Sequence, residues 1–484
     1  MKALNKKLFR DILGNKAQFI TIFLMVLIGV MVYSGIEAYM DGMTNAADTF
    51  YMENNLQDLN LMGASFSKDD LNNIKEVKNV KNAERKLVFN AINSENNNKS
   101  YLVTFIESND ISKFYVLDGE DFDANKSGVW IDNFYAIENN LKVGDTIKFK
   151  YDSLELEEKI LGLINVPDHL YDVKDASELL PNRENYGFIY LSSNEIPESF
   201  IKKQVMKKMN IQDEDMFESY MQDFNYKEYI PFNYVLVDVE NKENINQVKN
   251  DIEDKIENVS AIINIEDTLS YSMYQGEIDE GEAYVGIFSG LFLFIALLSV
   301  ITTMTRIINK QRVQIGTLKA LGFKDLRISL HYIGYGFWVS IIGAICGLIA
   351  GRYFIGAVFL GMEMDYFEVP NGVPIISKDS FIVAALVVMV VSIVTYLTCR
   401  KQLKQNPAET LRIELPKVKN GSLNITTKGI FKKMNFSSKW NLRDILRNKV
   451  RTLTGIAGIT GCCVLIVCAL RNVKQYELLY RAPI

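Results

Sequence analysis

The stretch NKQRVQIGTLKALGFKDLR, residues 309–327, decides the fold because two long apolar runs lie directly on either side of it. It contains five basic residues and one acidic residue, and on a helix its apolar positions fall largely on one side. These apolar positions are Val313, Ile315, Leu318 and Leu321, and Gly322 follows them. The stretch therefore predicts a short, basic, amphipathic helix that is closed by Gly322 and connects two membrane spans.

The apolar residues of the 484-residue chain are concentrated in five runs of about 19 to 24 residues that contain no charged side chain. Because a bilayer core about 30 Å thick requires roughly 20 helical residues, each run is long enough to span it. The first run is too long for a cleaved signal peptide, and no small-residue cleavage site follows it. We therefore interpret it as an uncleaved span.

The distribution of charge predicts which side of the membrane each segment occupies. Residues 1–17 and 309–327 are basic, and residues 400–451 contain 14 basic and three acidic side chains. The positive-inside rule places such segments in the cytoplasm. Residues 40–282, with 48 acidic and 23 basic side chains, then lie outside. We expect a multi-pass protein of the plasma membrane with a cytoplasmic N-terminus.

The predicted fold class is an α-helical transmembrane bundle of about five spans, with a large α+β extracytoplasmic domain between spans 1 and 2. In that domain Ser67, followed by Asp69 and Asp70, predicts a capped helix. We interpret residues 111–229 as a lobe inserted into this domain. Alternating apolar residues predict strands at 86–92, 101–106, 129–132, 146–151, 186–191, 234–239 and 261–265.

The chain as a whole is divided by these patterns into alternating membrane and water-exposed segments. The predicted segments are a cytoplasmic amphipathic helix (1–17), the first span (18–39), the extracytoplasmic domain (40–282), the second span (283–306), the basic helix (307–327), the third span (328–352), an extracytoplasmic loop (353–379), the fourth span (380–399), a basic cytoplasmic linker with a second amphipathic helix (400–451), the fifth span (452–470) and a short tail (471–484).

Motifs for catalysis and for cofactor binding are absent from the sequence. It contains no GxxxxGK[ST] phosphate loop and no HExxH, paired-cysteine or GxSxG motif. The five cysteines lie in or beside the apolar runs, and His169 and His331 are the only histidines, which makes a zinc site improbable. We predict no catalytic residue, no cofactor, no metal and no nucleic-acid partner for this chain. The many outer acids are interpreted as a solvated surface.

Small residues form a stripe in the third span, where Gly343, Gly347 and Gly351 recur every four residues. Such a stripe allows another helix to approach closely, so we predict that these glycines pack against a neighbouring span. The alternative is that glycine is simply common in membrane helices.

An internal repeat relates the two ends of the chain. Residues 10–16, RDILGNK, agree with residues 443–449, RDILRNK, at six of seven positions, and an apolar run follows each copy. The repeat predicts that a second unit begins near Phe436.

The sequence RVQIGTLKALGFKDLRI, residues 312–328, resembles the cytoplasmic segment after the second span in the FtsX/MacB-type permease family of ABC transporters. IIGAICGLIAG (341–351) and NPAETLR (406–412) are also similar to that family. GVWIDNFYAIENNLKVGDTIKFK (128–150) is similar to a segment of the family's MacB-like extracytoplasmic domain. Family members commonly have four spans or a doubled arrangement, so the repeat indicates a doubled permease that is incomplete at its C-terminus.

The resemblance implies that a separate ABC ATPase subunit binds ATP and Mg and drives this chain. The basic helix would be the coupling helix, buried against that ATPase by its apolar face, with basic side chains at the rim or against membrane lipid headgroups. The chain would act on peptides, lipids or lipoproteins as a homodimer or a pseudo-dimer of permease halves. Alternatives are a regulator of an extracellular cell-wall hydrolase and a sensor or resistance module for antimicrobial peptides. The coupling residues would be Arg312, Gln314, Ile315, Gly316, Leu318, Lys319, Leu321 and Gly322.

Overall fold

A computed structural model describes residues 2–152, 154–174, 178, 180–209, 211, 217, 226–404 and 435–447, with isolated positions between 452 and 467. The chain divides into two compact units. The first, here called the helical unit, comprises Met1–Asp41, Gly281–Phe359 and Pro374–Ile484. The second, the sheet unit, comprises Gly42–Glu280 and Leu360–Val373.

The secondary structure contains long helices and short strands, with π-helical turns at Val285–Ser289 and Gly351–Gly356. The helices are α1 (Lys2–Gly14), α2 (Lys16–Glu53), α3 (Lys68–Lys75), α4 (Asn133–Glu138), α5 (Glu198–Met209), α6 (Ile245–Lys255), α7 (Leu269–Tyr284), α8 (Gly290–Lys310), α9 (Arg312–Ala320), α10 (Asp325–Ala350), α11 (Ala357–Met364), α12 (Lys378–Leu403) and α13 (Phe436–Arg447). The strands are β1 (Leu59–Gly63), β2 (Val80–Asn93), β3 (Ser100–Ile106), β4 (Tyr115–Gly119), β5 (Val129–Asp132), β6 (Thr146–Tyr151), β7 (Leu154–Asn165), β8 (Tyr186–Ser192), β9 (Tyr234–Val239) and β10 (Val259–Asn264).

Four helical stretches in the described part of the chain are long and apolar enough to cross a membrane: Lys16–Glu53, Leu269–Lys310, Asp325–Met364 and Lys378–Leu403. The prediction of an apolar helical bundle with a large α+β domain after its first helix is confirmed. The predicted fifth span, 452–470, lies outside the described residues except for isolated positions.

The core of the helical unit is a hydrophobic cluster to which the long helices and both short cytoplasmic candidates, α1 and α9, contribute. Its buried members include Leu8, Ile22, Val30, Met304, Ile315, Ile328, Tyr335, Val391 and Cys399.

A single mixed sheet forms the second unit, in the strand order β10-β1-β9-β2-β3-β8-β5-β7-β4, with β6 paired to β2 and β7. The β3–β8 and β5–β7 pairs are parallel, and the other pairs are antiparallel. All seven predicted strands are present, whereas β1, β4 and β7 were not predicted.

The helix α3 begins as its sequence predicts. The Ser67 side chain accepts a hydrogen bond from Asp70 N at 3.1 Å, and Asp70 Oδ2 accepts one from Ser67 N at 2.8 Å. This reciprocal capping box satisfies two backbone donors that a helix start would otherwise leave unpaired.

Two large hydrophobic clusters divide the sheet unit at a different place from the predicted lobe boundary. Ala83 of β2 lies in a cluster formed with β1, β9, α3 and α6. Leu87, four residues later on the same strand, belongs to the cluster around β3, β5 and β8. The second cluster extends to Phe232. The inserted part therefore begins within β2 rather than at residue 111, because that long strand supplies side chains to both cores.

Candidate partner-docking surface

The helix α9 lies between two of the membrane-length helices and ends in a defined turn. Gly322 has a φ of +84°, a left-handed conformation that glycine adopts without the strain a Cβ would cause. Its N–H donates to Lys319 O at 3.1 Å, and Phe323 N donates to Leu318 O at 3.2 Å. These two bonds form a Schellman motif, which satisfies the last carbonyl groups of the helix and turns the chain toward α10.

The apolar residues of α9 do not share one face. Ile315 is 1% exposed and Leu318 is partly buried, and both pack against the core of the helical unit. Val313 and Leu321 are 55% and 70% exposed. The expectation that all four would be buried together against a partner is therefore wrong for Ile315, because α8, α10 and α12 already cover that side chain.

The polar residues of α9 are also divided between structural and exposed positions. Lys319 Nζ donates to Leu403 O at 2.5 Å and lies 3.8 Å from Asp325 Oδ2. A cation at the last carbonyl of α12 stabilises that helix end, so Lys319 is engaged within the chain rather than at a rim. Gln314 is exposed, and Arg312 and Gly316 are at half-buried and buried positions.

An exposed strip remains along α9 and the turn after it, and we call it the docking strip. Sequence reasoning missed Phe323 and Leu326, because they follow the predicted helix end; their signal was their position between Gly322 and the next apolar run, with Phe323 in the turn and Leu326 at the start of α10. The docking strip consists of Val313, Gln314, Thr317, Leu321, Phe323 and Leu326, all exposed.

The N-terminal helix α1 is joined to α10 by a small polar cluster. Tyr335 donates to Asp11 Oδ2 at 2.8 Å, and Lys7 Nζ lies 3.0 Å from the same oxygen. Burial alone would raise the pKa of Asp11, but the hydrogen bonds from Tyr335 and Lys7 together with the Lys7 charge hold it below its usual value. His331, 3.3 Å from the Tyr335 hydroxyl, completes the cluster. The sequence contained no signal for this pairing, since 324 residues separate Asp11 from Tyr335.

Two further hydrogen bonds hold the same end of the helical unit together. Lys310 Nζ donates to Asn15 Oδ1 at 3.2 Å, and Gln402 Nε2 donates to Asn309 Oδ1 at 2.7 Å. These bonds join the end of α8 to the turn between α1 and α2 and to the end of α12.

The glycine stripe of α10 lies against α2. A Cβ built on Gly343 would stand 3.0 Å from Phe23 O, and one on Gly347 would stand 2.8 Å from Leu27 O. A Cβ on Gly351 would stand 2.9 Å from Met31 O. At each position the backbone of α2 occupies the space that a side chain would need.

The chemistry of this surface is that of recognition rather than reaction. Within the described ranges, no group of three His, Cys, Asp or Glu side chains is placed to hold a metal ion. The docking strip offers apolar side chains, one amide and one hydroxyl group, with Lys324 and Arg327 exposed beside them.

The model of the FtsX-like permease C-terminal family matches residues 286–407. Residues 286–407 are thus similar to the C-terminal part of FtsX-like permeases, and we call them the FtsX-like domain. The resemblance expected from residues 312–328 is thereby confirmed. The FtsX-like domain contains α8 to α12, and so includes the docking strip and the glycine stripe, whereas Lys7 and Asp11 lie before it. Its apolar helices make the chain a membrane protein.

Two solved structures are similar to part of the chain. One is the extracellular domain of the noncanonic ABC-type transporter YknZ from Gram-positive bacteria, with 15% identity over 43% of this chain and 98% of that chain and a TM-score of 0.25. The other is the periplasmic region of MacB from Actinobacillus actinomycetemcomitans, with 10% identity over 46% of this chain and 92% of that chain and a TM-score of 0.27. No curated protein matches the chain.

Proposed function

We propose that this chain is the permease subunit of an ABC transporter and that it transmits the conformational change of a separate ATPase across the membrane. The observation that carries this proposal is the docking strip, an exposed apolar surface at the junction of two membrane-length helices within an FtsX-like domain. A permease of an ABC transporter needs a source of energy. Because this chain has no phosphate loop with which to bind ATP, we infer that a separate ATPase subunit supplies that energy.

The docking strip fits a groove on a partner ATPase. Leu321 and Phe323 would enter the groove, while the exposed Lys324 and Arg327 would meet acidic side chains or anionic lipid headgroups at its edge. Because Ile315 anchors α9 to the core from behind, a displacement of α9 would move the neighbouring helices rather than only the side chains at the surface.

Transmission would follow the continuous helices. The helix α2 and the helical stretch Leu269–Lys310 each contain residues of both units, so each continues from the helical unit into the sheet unit. Differential binding of the ATPase to two arrangements of α9 would bias two arrangements of these helices. The Asp11–Tyr335 link would carry α1 with them.

In this arrangement the N-terminus and α9 are cytoplasmic, and the sheet unit is extracytoplasmic. ATP and Mg bind only to the partner ATPase, and this chain performs no chemistry. Two permease halves, as a homodimer or a pseudo-dimer, present two docking strips to a pair of ATPase subunits. The sheet unit acts on peptides, lipids or lipoproteins outside the bilayer.

The test is purification of the full, tagged chain from its native membrane in mild detergent, with mass spectrometry of the proteins that accompany it. We expect a P-loop ATPase, and we expect Leu321→Asp to lower its recovery at least tenfold, since burying one leucine is worth about 1.5–3 kcal/mol. The control is Ile137→Asp, which replaces a similarly exposed apolar helical residue of the sheet unit. The proposal fails if no ATPase accompanies the chain, or if the two variants recover equal amounts.

The orientation is tested separately by labelling Gln314→Cys in a cysteine-free background with a membrane-impermeant maleimide. Intact cells should leave the cysteine unlabelled, and permeabilised cells should label it. Labelling from outside intact cells would place the docking strip on the wrong side for an ATPase.

A further inference from the structure

Residues 365–373, in the connection between α11 and α12, belong to the sheet unit, although the connection joins two helical stretches of membrane length. Glu368 N donates to Leu170 O at 2.9 Å, and Asn165 Nδ2 donates to Glu368 O at 3.2 Å. Phe367 packs against Tyr171 and Tyr274, with ring centroids 5.6 Å and 5.0 Å away. Residues 365–369, here called the clamp segment, are therefore attached to the sheet unit through both backbone and side chains.

Arg183 fastens the same segment from another side. Its guanidinium group donates to the carbonyl oxygens of Asp365 and Tyr366, the latter at 2.7 Å, and it stacks on the Phe134 ring at 3.9 Å. Its Nε lies 3.9 Å from Glu368 Oε1. One cation is thus shared between two backbone carbonyl groups and a carboxyl group.

The Glu368 side chain is buried beside a second buried carboxyl group, that of Asp132. The Glu368 side chain is 2% exposed and Asp132 is 1% exposed. Asp132 is fixed there because it caps α4, its Oδ1 accepting from Phe134 N at 2.8 Å. Burial and the charge of Asp132 raise the pKa of Glu368, and the buried Glu368 Oε2 has no hydrogen-bond partner among the described residues.

Two other carboxyl groups of this cluster each lie close to a basic side chain. Asp168 lies 3.9 Å from Lys86 Nζ and accepts from Gln57 at 3.2 Å. Asp172 lies 3.1 Å from His169 Nδ1. Tyr186 and Tyr190 of β8 also face the cluster, and burial raises the pKa of both hydroxyls, so they stay neutral.

The charges of this cluster do not balance without an additional proton. Its described members include four carboxyl groups, two permanent cations and one histidine; they are Asp132, Asp168, Asp172, Glu368, Lys86, Arg183 and His169. Even with the histidine protonated, one negative charge remains. A buried charge without a partner costs several kcal/mol, so a carboxyl group in this position takes up a proton instead.

We propose that the Asp132–Glu368 pair is a proton-binding site that secures the clamp segment to the sheet unit, and that loss of this proton loosens the clamp. Without the proton, the two carboxylates would repel each other in a buried space, and the single positive charge of Arg183 could offset only one of them. The repulsion is relieved when Glu368 moves away, and the backbone bonds of residues 365–369 move with it.

The direction of the pH dependence follows from the groups involved. Burial raises the pKa of both Glu368 and Asp132; the Asp132 carboxyl raises the pKa of Glu368 further, Asp172 raises the pKa of both, and Arg183 lowers both. Burial lowers the pKa of His169, but Asp172 and Asp168 outweigh this and raise it. The pKa values of Glu368 and Asp132 are raised because the attached clamp favours their protonated forms. The clamp is therefore tight at low pH, and its attachment to the sheet unit weakens as the pH rises through these raised pKa values.

The clamp segment is the first part of the connection between α11 and α12. When the clamp is protonated, the connection stays bonded to the sheet unit and moves with it. When the proton is lost, these bonds loosen and the connection can move separately. This proton dependence requires no ATPase and therefore stands or falls independently of the proposed function.

The test is amide hydrogen exchange of residues 365–369 in the full chain in lipid nanodiscs at pH 6.0 and pH 8.5, corrected for the intrinsic rates. Wild-type protection should fall at least tenfold at the higher pH. Glu368→Gln removes the titrating charge but keeps the shape, so its protection should be equal at both pH values. Arg183→Gln should lower protection at both.

The control is Glu257→Gln, an exposed carboxyl of the same unit, which should keep the wild-type response. Asp132→Asn provides a second variant that retains the helix cap while removing the charge. Equal wild-type protection at the two pH values would overturn the proposal, as would a wild-type response in both Glu368→Gln and Asp132→Asn.

Discussion

Replacement of Gly347 by valine should weaken the packing of α10 against α2. A Cβ at this position would lie 2.8 Å from Leu27 O, 2.9 Å from Val30 Cβ and 3.2 Å from Met31 N, and two of these three atoms belong to the backbone. Ordinary contacts are about 3.5–4.0 Å, so the two helices would have to separate by several tenths of an ångström. Overpacking of this kind costs about 1–3 kcal/mol, and valine regains only a few tenths through helix propensity.

The matched control is Gly361→Val in α11, where a Cβ would meet nothing within 4 Å. That variant should change the free energy of unfolding by less than about 0.5 kcal/mol, which is the difference in helix propensity alone. The assay is titration of the purified chain from mild detergent into SDS, followed by circular dichroism. Gly347→Val should unfold at a clearly lower SDS fraction. If the two variants unfold together, close backbone approach at the glycine stripe does not hold these helices.

Two further predictions concern local contacts and use amide hydrogen exchange of the full chain. Ser67→Ala should cost about 1 kcal/mol of helix stability and raise exchange at the start of α3 about fivefold, whereas Ser67→Asn should restore it; equal exchange in all three chains would show that the capping box contributes nothing. Tyr335→Phe removes only the hydroxyl that donates to Asp11 at 2.8 Å, a bond to a charged group worth about 1.5–3 kcal/mol, so exchange in residues 2–14 should rise at least tenfold. Tyr353→Phe, at an exposed position of the same unit, should leave that exchange unchanged; a similar rise in both would refute the link.

Much of the sheet could be predicted because alternating burial imposes a period of two on the sequence. β2, β3 and β8 show that alternation or a continuous apolar run. β7 was missed because its first half, LELEEK, contains four charged residues and resembles a solvated segment. It is nevertheless a strand, since its neighbours β6, β5 and β4 pair with it on both sides.

The candidate docking surface could be located from the sequence but not described. The basic composition of residues 309–327, the flanking apolar runs and Gly322 indicated where a helix starts and stops. They could not indicate that Ile315 faces inward and Leu321 outward. That division depends on which neighbouring helices cover α9, and helical periodicity does not contain this information.

By itself, the sequence determined the membrane-length helices, the caps at Ser67 and Gly322 and most of the strands, because each depends on residues within a few positions of one another. Only the tertiary structure decided that Asp11 meets Tyr335, that Glu368 meets Asp132 and that residues 360–373 join the sheet unit. Those contacts join residues hundreds of positions apart. They form because packing around a shared core brings the groups together. A local sequence pattern does not predict which distant side chain will be packed against a given residue.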